Sequence, residues 1–227
     1  MIYGYTGSTA ETLANEYDYT FKSLGAAPGQ TNKNGLITEN GKTYYYVNGV
    51  KQSGLQTVNG KKYYFSAKTK ERLSGLVNTG DGIRYFSAVT YEMLTGLVNT
   101  GTGLRYFSVK DGKMLTGFVN TGRGKIRYFS AKDGHMMKGG TLNVNGKTYY
   151  LDVNGVRQTG LVDIGKQTYY FSMRDGHMMK GGLVTGPGGK QYYVSAKDGH
   201  VMKGGWVNGP GGARYLLDKD GVVIEKA

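Results

Sequence analysis

The sequence predicts an all-β fold, a β-solenoid of about nine stacked β-hairpin repeats preceded by a short helix and strand. A short aromatic triplet recurs about every 21 residues, and turn residues bound each copy on both sides. No segment after about residue 20 shows the 3.6-residue apolar period of an amphipathic helix. Because an isolated hairpin is barely stable in water, the copies must bury their faces against their neighbours, as in a solenoid.

Residues 1–34 precede the repeats. Ser8 and Glu11 fit the capping-box pattern, so we expect a helix over about 9–17. The segment 18–21 is predicted to be one strand, and 25–34 a flexible linker. A single helix and strand are too short to fold alone, so 1–24 is interpreted as a fragment and 35–227 as the repeat array.

The triplet is predicted to form a strand of each hairpin. Asn-Gly and Asp-Gly pairs such as 48–49 and 111–112 supply tight turns, and apolar runs such as 135–137 supply the strand that returns from them. Side chains alternate across a strand, so the middle residue of the triplet faces opposite to its two neighbours. The sequence places tyrosine in this middle position nine times: Tyr45, Tyr64, Tyr85, Tyr106, Tyr128, Tyr150, Tyr170, Tyr193 and Tyr215.

Composition excludes several classes of protein. The chain has no cysteine, which excludes disulfide frameworks and cysteine-ligated metal or iron–sulfur sites. It has no run of about 18 apolar residues, so membrane insertion is not expected. No charged and apolar leader opens the chain, so any secretion signal is expected to lie outside it. The 29 basic and 16 acidic residues give a net charge of +13, which favours polyanionic partners.

Aromatic rings are the candidate ligand-binding residues. A tyrosine face can cover the apolar C–H face of a sugar, but the same ring can pack between hairpins, and strict recurrence fits both roles. Phe118 and Trp206 replace the leucine that opens most repeats, and they are either local core or ligand platforms. The candidate glycan-stacking residues are Tyr45, Tyr64, Tyr85, Tyr106, Phe118, Tyr128, Tyr150, Tyr170, Tyr193 and Trp206.

No catalytic or metal-binding arrangement stands out. Acidic residues are dispersed, and most precede a turn glycine, so no carboxylate pair is placed as a glycosidase requires. His135, His177 and His200 occupy one position in separate repeats and are not expected to converge on a metal. The sequence therefore predicts no enzyme, no metal and no cofactor.

Arginine replaces the first tyrosine of several triplets. These arginines are interpreted as a basic surface that either solubilises the array or attracts wall polyanions: Arg84, Arg105, Arg127 and Arg214. Basic charge interleaved with aromatic residues also suits single-stranded nucleic acid. No known nucleic-acid module is present, so nucleic acid is not the expected partner.

Two segments carry a resemblance to a known family. Residues 59–65 (Asn-Gly-Lys-Lys-Tyr-Tyr-Phe) and 145–151 (Asn-Gly-Lys-Thr-Tyr-Tyr-Leu) closely resemble the cell-wall-binding repeat superfamily of choline-binding, glucan-binding and clostridial-toxin repeats. The resemblance covers about 35–227. It implies hairpins stacked into a superhelix on a Gram-positive surface protein, with carbohydrate or choline-decorated polymer bound between adjacent repeats.

The chain departs from the choline-binding pattern in its tryptophans. Choline-binding repeats resemble a pattern with one tryptophan just before the Tyr-Tyr pair and a second after the glycine that opens the repeat. Here the first position holds no aromatic residue, and the second holds one tryptophan, Trp206. A quaternary ammonium needs an aromatic cage, so this departure argues against choline and favours a glycan.

Residues 2–11 resemble the last turn of a BspA-type leucine-rich repeat region, which implies that 1–24 is the end of such a region. Two hypotheses follow for the whole chain. The first is a non-catalytic, monomeric module that binds polysaccharide, glycan or teichoic-acid-like wall polymer at several weak sites on a secreted or cell-surface protein. The alternative is a structural stalk or a protein-binding adhesin surface.

Overall fold

The computed structural model describes residues 1–25, 27 and 33–227. The chain divides into two compact units, Met1–Leu115 and Thr116–Ala227. Both consist mainly of antiparallel strands, arranged as nine small sheets of two or three strands within the described residues. This confirms the predicted all-β, solenoid-like repeat fold. Most of the predicted linker, 25–34, lies outside the described residues.

A helix and two parallel strands open the first unit: β1 (Ile2–Gly4), α1 (Thr9–Glu16) and β2 (Phe21–Ser23). The predicted capping box forms only in part, because the Glu11 carboxylate accepts a hydrogen bond from the Gly7 N–H at 2.6 Å and Ser8 makes no side-chain cap. The strand begins at Phe21 rather than at Asp18. Asp18 takes a φ of 56°, which ends the helical turn before a strand can start.

Four repeats complete the first unit, and each has three strands. The first two contain β3 (Gly35–Glu39), β4 (Lys42–Val47), β5 (Val50–Lys51), β6 (Gly54–Val58), β7 (Lys61–Phe65) and β8 (Arg72–Leu73). The third and fourth contain β9 (Gly75–Asn78), β10 (Ile83–Phe86), β11 (Met93–Leu94), β12 (Gly96–Asn99), β13 (Leu104–Phe107) and β14 (Met114–Leu115).

Five repeats form the second unit. The fifth to seventh contain β15 (Gly117–Asn120), β16 (Ile126–Phe129), β17 (Gly140–Val144), β18 (Lys147–Leu151), β19 (Gly160–Ile164) and β20 (Gln167–Phe171). The eighth and ninth contain β21 (Gly182–Thr185), β22 (Gln191–Val194), β23 (Gly205–Asn208), β24 (Arg214–Leu217) and β25 (Val223–Lys226). Short 3-10 turns, Pro187–Gly189 and Pro210–Gly212, lie within the last two hairpins.

One register recurs along the array. In the first eight repeats the opening glycine pairs with the third residue of the triplet, and the next residue pairs with the middle one, as in Gly54↔Phe65 and Leu55↔Tyr64. The residue opposite the opening glycine points into the core, where its exposure is 6% or less in all nine repeats. These core residues are Tyr46, Phe65, Phe86, Phe107, Phe129, Leu151, Phe171, Val194 and Leu217.

The ninth repeat corrects one prediction. Gly205 pairs with Leu217 and Trp206 with Leu216, so Leu216 takes the middle position. Tyr215 was predicted there, but it takes the first position and pairs with Val207. Its ring covers Gly209, where a Cβ would lie 2.5 Å from the ring, and Tyr192 covers Gly186 in the same way at 2.6 Å. The longer turns of these hairpins therefore set the register through ring packing.

Returning strands join successive repeats of the second unit. The N–H of Arg157 donates to the carbonyl of Ile126 at 2.8 Å, and Met178 and Val201 donate to Thr148 and Thr168 at 2.7 Å. Each returning strand thus hydrogen-bonds to the preceding hairpin. Backbone bonds as well as side-chain packing hold neighbours together in this unit.

The first-position arginines are structural, which overturns their interpretation as a basic surface for Arg84 and Arg105. Both are 5% exposed. The Arg84 guanidinium pairs with Asp81 at 2.5 Å and donates to the Asp111 carbonyl of the next repeat at 3.0 Å. This pairing holds the pKa of Asp81 well below its usual range. Arg105 donates to Thr100 and Thr102 in its own turn. These cations are used inside the fold and are not available to a polymer.

Candidate functional site

Two grooves of corresponding construction lie between adjacent hairpins. In the first, the opening leucine and middle tyrosine of the seventh repeat face the start of the eighth, and they enclose a cavity of about 330 Å³. Its walls include Leu161, Tyr170, Met173, Thr185 and Pro187. In the second, Leu36 and Tyr45 of the first repeat face 57–59 of the second around a cavity of about 480 Å³. The repeat therefore builds a groove between an apolar wall and the next hairpin.

Tyr170 is fixed in its groove by both ends. The residue is 7% exposed, and its ring packs with Val184 and Tyr192 in a buried cluster. Its hydroxyl donates to the carbonyl of Thr185 at 2.7 Å. Tyr193, the corresponding residue of the eighth repeat, donates to the carbonyl of Asn208 at 3.2 Å. The phenol thus fastens one hairpin to the next, and the ring also forms the groove wall.

The other middle tyrosines pack against the core ring of the following repeat. Ring centroids lie 5.9–6.2 Å apart in the pairs Tyr45–Phe65, Tyr64–Phe86, Tyr85–Phe107 and Tyr150–Phe171. Tyr106 is also half-buried. The packing role of these tyrosines is therefore visible in the structure. Their predicted role in sugar stacking stays a prediction.

Phe118, Tyr128 and Trp206 lie apart from the two grooves. Phe118 contacts Tyr128 at 5.0 Å and Tyr149 of the next repeat at 4.6 Å between ring centroids. Trp206 is 41% exposed at the opening of the ninth repeat. Tyr149 was not predicted from the sequence, and neither were Leu161, Met173, Thr185 and Pro187 of the groove. The opening leucine was the signal in the sequence that could have located the groove, because Leu161 pairs with the middle tyrosine Tyr170 and both line it.

The histidines pair with aspartates of their own turns. Nδ1 of His177 and of His200 lies 2.6 Å from Asp175 and Asp198, and each contact lowers the pKa of the carboxyl group. In the described part of the chain, no group of three or more histidine, aspartate or glutamate side chains could hold a metal ion. No helix among the described residues is long and apolar enough to cross a membrane.

A charged cluster borders the first-repeat groove. Glu39 accepts hydrogen bonds from Lys33 and from the Tyr46 hydroxyl at 2.9 Å, and Lys51 lies 3.3 Å away. These donors, Lys33 first, lower the pKa of Glu39 from 4.5 to about 2. A depressed carboxyl pKa stabilises the fold above the unfolded-state pKa, and this contribution is lost as the pH falls through about 2.

This pKa shift predicts the effect of replacing Lys33. We expect the Glu39 carboxyl carbon to titrate near pH 2 in the wild type, and at clearly higher pH in Lys33→Met, where the largest cause of the shift is lost. Carboxyl ¹³C NMR over an acid titration measures both values. A titration midpoint unchanged in Lys33→Met would contradict the assignment of Lys33 as the main cause.

The fold and the grooves define a class, repeat proteins whose hairpins form ligand-sized grooves with their neighbours. Family comparisons agree. A model described as a choline-binding repeat matches 158–206, and one described as a putative cell wall binding repeat matches 53–68 and 142–156. These matches support placing the repeat region in the cell-wall-binding repeat superfamily, and the resemblance seen in the sequence is confirmed. No curated protein sequence matches the chain significantly.

Solved structures from Streptococcus pneumoniae are similar. Choline binding protein F is 26% identical with a TM-score of 0.68 over 81% of this chain, and the match spans 61% of that protein, about three fifths of its length. Its structure in the presence of a peptidoglycan analogue gives 26% identity and a TM-score of 0.67. The choline-binding domain of CbpL is 23% identical with a TM-score of 0.59, covering 85% of this chain and 98% of that one, which shows the shared fold.

The prediction against choline is not borne out. The choline-binding repeat model matches 158–206, which contains the whole groove at 159–187. The prediction rested on missing tryptophans, whereas this groove is walled by Leu161, Tyr170, Met173 and Pro187. The absence of one aromatic pattern therefore did not decide the ligand. The leucine-rich-repeat resemblance of 1–24 stays a prediction.

Proposed function

We propose that the repeat array is a non-catalytic module that binds a cell-wall polymer in the grooves between adjacent hairpins, at the bacterial surface. One observation carries the proposal: the apolar groove at 159–187 lies inside the segment that matches the choline-binding repeat. The polymer is a choline-decorated chain or the glycan of peptidoglycan. Choline binding protein F, whose structure was determined with a peptidoglycan analogue, supports this choice of ligand class.

The groove suits an apolar or methyl-rich group. Leu161, Met173 and Pro187 give it aliphatic walls, and Tyr170 gives it an aromatic one. An aromatic wall attracts a quaternary ammonium or the C–H face of a sugar. The net charge of +13 attracts the phosphates or acidic groups of the same polymer over a longer range. A polymer that engages several grooves at once gains avidity from their tethering.

The first test changes charge at the mouth of this groove. Met173 lines it and is 67% exposed, so Met173→Lys and Met173→Glu should fold normally. If choline is the bound group, lysine should weaken binding at this groove about tenfold, because its ammonium repels the choline cation in partly aqueous surroundings. Glutamate should strengthen binding, because its carboxylate attracts that cation. Backbone NMR shifts of 159–170 during titration with choline, and separately with soluble peptidoglycan fragments, report the affinity of this groove.

Val109 provides the matched control. It follows Phe107-Ser108 as Met173 follows Phe171-Ser172, and it is 75% exposed. Val109→Lys adds the same charge on the other unit and should leave the 159–170 shifts unchanged. Equal weakening in both lysine variants would indicate general repulsion. Choline binding that is unchanged in Met173→Lys would reject choline as the ligand of this groove, and the absence of any 159–170 shift with both choline and peptidoglycan fragments would reject the groove itself. A single tight protein-binding site, seen by calorimetry, would favour the stalk or adhesin alternative.

A further inference from the structure

Two large aromatic residues at repeat openings are covered by arginines of the same chain. The guanidinium carbon of Arg157 lies 5.5 Å from the Phe118 ring centroid, and that of Arg214 lies 4.9 Å from the Trp206 ring centroid. Both distances are within the range of a cation–π contact. These two rings replace the opening leucine and were predicted from the sequence to be either local core or ligand platforms. In the structure, each already has a cation over it.

Arg157 comes from the returning strand of the sixth repeat. It pairs with Leu151, in the position where the third, fourth, fifth and seventh repeats carry methionine. Its side chain is wedged against the next turn, where a Cβ on Gly176 would lie 2.5 Å from Nε. That Nε is buried and makes no hydrogen bond within the described residues. Contact with the turn at Gly176 and with the Phe118 ring therefore holds the Arg157 guanidinium in place.

Arg214 stands in the ninth repeat, opposite Asn208 on β23. Thr43, Thr148 and Thr168 occupy the same position in the first, sixth and seventh repeats. Trp206 pairs with Leu216, so Arg214 and Trp206 are diagonal neighbours on one face of the hairpin. The ring and the guanidinium are both exposed, so a ligand could reach the tryptophan if the arginine were absent.

We propose that Arg157 and Arg214 are specificity-determining residues, which exclude a ligand cation from Phe118 and Trp206. A guanidinium on an aromatic face takes the position that an ammonium group would need, and it repels a second cation nearby. Cation binding is thereby restricted to the grooves that lack such an arginine. The proposal deepens the proposed function, because it states which aromatic surfaces of a wall-binding array do not take choline.

Trp206 allows a direct test, because it is the single tryptophan of the chain. Its fluorescence, excited where tyrosine does not absorb, is followed during choline titration of the full chain. We expect only a weak response in the wild type and in Arg214→Lys, which keeps a cation. Arg214→Thr, with the residue that three other repeats carry, should give a saturable response with an apparent Kd about five- to tenfold lower.

Arg174→Thr is the matched control for net charge, since Arg174 is an exposed arginine of the same unit. It should behave as the wild type does. Arg157→Met is tested in parallel by the NMR shifts of Phe118 and Tyr149 ring protons with choline, and it should gain a saturable shift. Circular dichroism checks that each variant is folded.

Equal choline responses at Trp206 in the wild type, Arg214→Thr and Arg214→Lys would overturn the assignment of Arg214. Absence of a new shift in a folded Arg157→Met would overturn that of Arg157. These outcomes are independent of the proposed function, whose failure would show as no shift at 159–170 with either choline or peptidoglycan fragments. A gain at Trp206 would support the exclusion role even if the wild-type chain bound no wall polymer.

Discussion

Replacing Phe171 with alanine is expected to lower the free energy of unfolding of the second unit by about 3–5 kcal/mol. The Phe171 side chain is fully buried, contacts Tyr150 at 6.2 Å between ring centroids, and bridges to Met178 of the returning strand. Its loss leaves a cavity at the point where two repeats and one returning strand meet. Urea denaturation followed by far-ultraviolet circular dichroism measures the change.

Phe171→Leu is the matched variant. Leu151 and Leu217 occupy the same core position in the sixth and ninth repeats, so the backbone accepts leucine there. We expect a loss below about 1.5 kcal/mol, because the substitution keeps most of the buried apolar volume. Similar losses in the alanine and leucine variants would mean that the core position does not depend on filled volume.

Replacing Gly199 with alanine is expected to cost about 2–5 kcal/mol, from a left-handed backbone and an overpacked contact together. Gly199 is buried with a φ of 84° in the turn of the eighth repeat. An added Cβ would lie 2.8 Å from the Met179 carbonyl and 3.0 Å from the Met178 sulfur of the preceding repeat. The Met179 N–H donates to the carbonyl of Tyr170 at 2.9 Å, so the backbone at Met179 cannot move aside without disturbing that hydrogen bond.

Gly204 separates the two contributions. Its φ is 64°, and an added Cβ meets no atom within 4 Å among the described residues. Gly204→Ala should therefore cost only about 1–2 kcal/mol, the penalty of the left-handed conformation. Thermal and urea unfolding of both variants give the difference. If Gly204→Ala were as damaging as Gly199→Ala, the turn geometry alone would account for the loss, and contact with the preceding repeat would not matter.

The repeated hairpin could be predicted because its signals are local. A turn such as Asn59-Gly60 takes positive φ at both residues, and the alternation that follows places Phe65 inside and Tyr64 on the opposite face. The opening Leu55 then pairs with Tyr64. Each of these relations spans a few residues within one hairpin, so spacing and residue type were sufficient to predict the fold class and the opposite facing of the middle residue and its two neighbours.

The ninth repeat shows where local signals fail. Arg214-Tyr215-Leu216 matches the triplet of the third to fifth repeats, yet Tyr215 packs on Gly209 and moves the register by one residue. A one-residue shift exchanges the two faces of a strand, so Tyr215 is part of the core and Leu216 takes the middle position opposite Trp206. Whether Tyr215 takes the first or the middle position depends on how its ring packs on Gly209 in the turn of its own hairpin. The order of aromatic residues in the sequence does not encode that contact.

By itself, the sequence determined the all-β repeat and the count of nine hairpins, because turns and side-chain alternation act over short distances. Which face of each triplet forms the core was decided by the structure. Only the tertiary structure decided that Arg84 is buried, that Tyr170 and Pro187 share one groove, and that Arg214 covers Trp206. Each of these depends on side chains meeting between strands or between successive repeats. Such contacts follow from packing volume and charge pairing, which are fixed only when the hairpins have stacked.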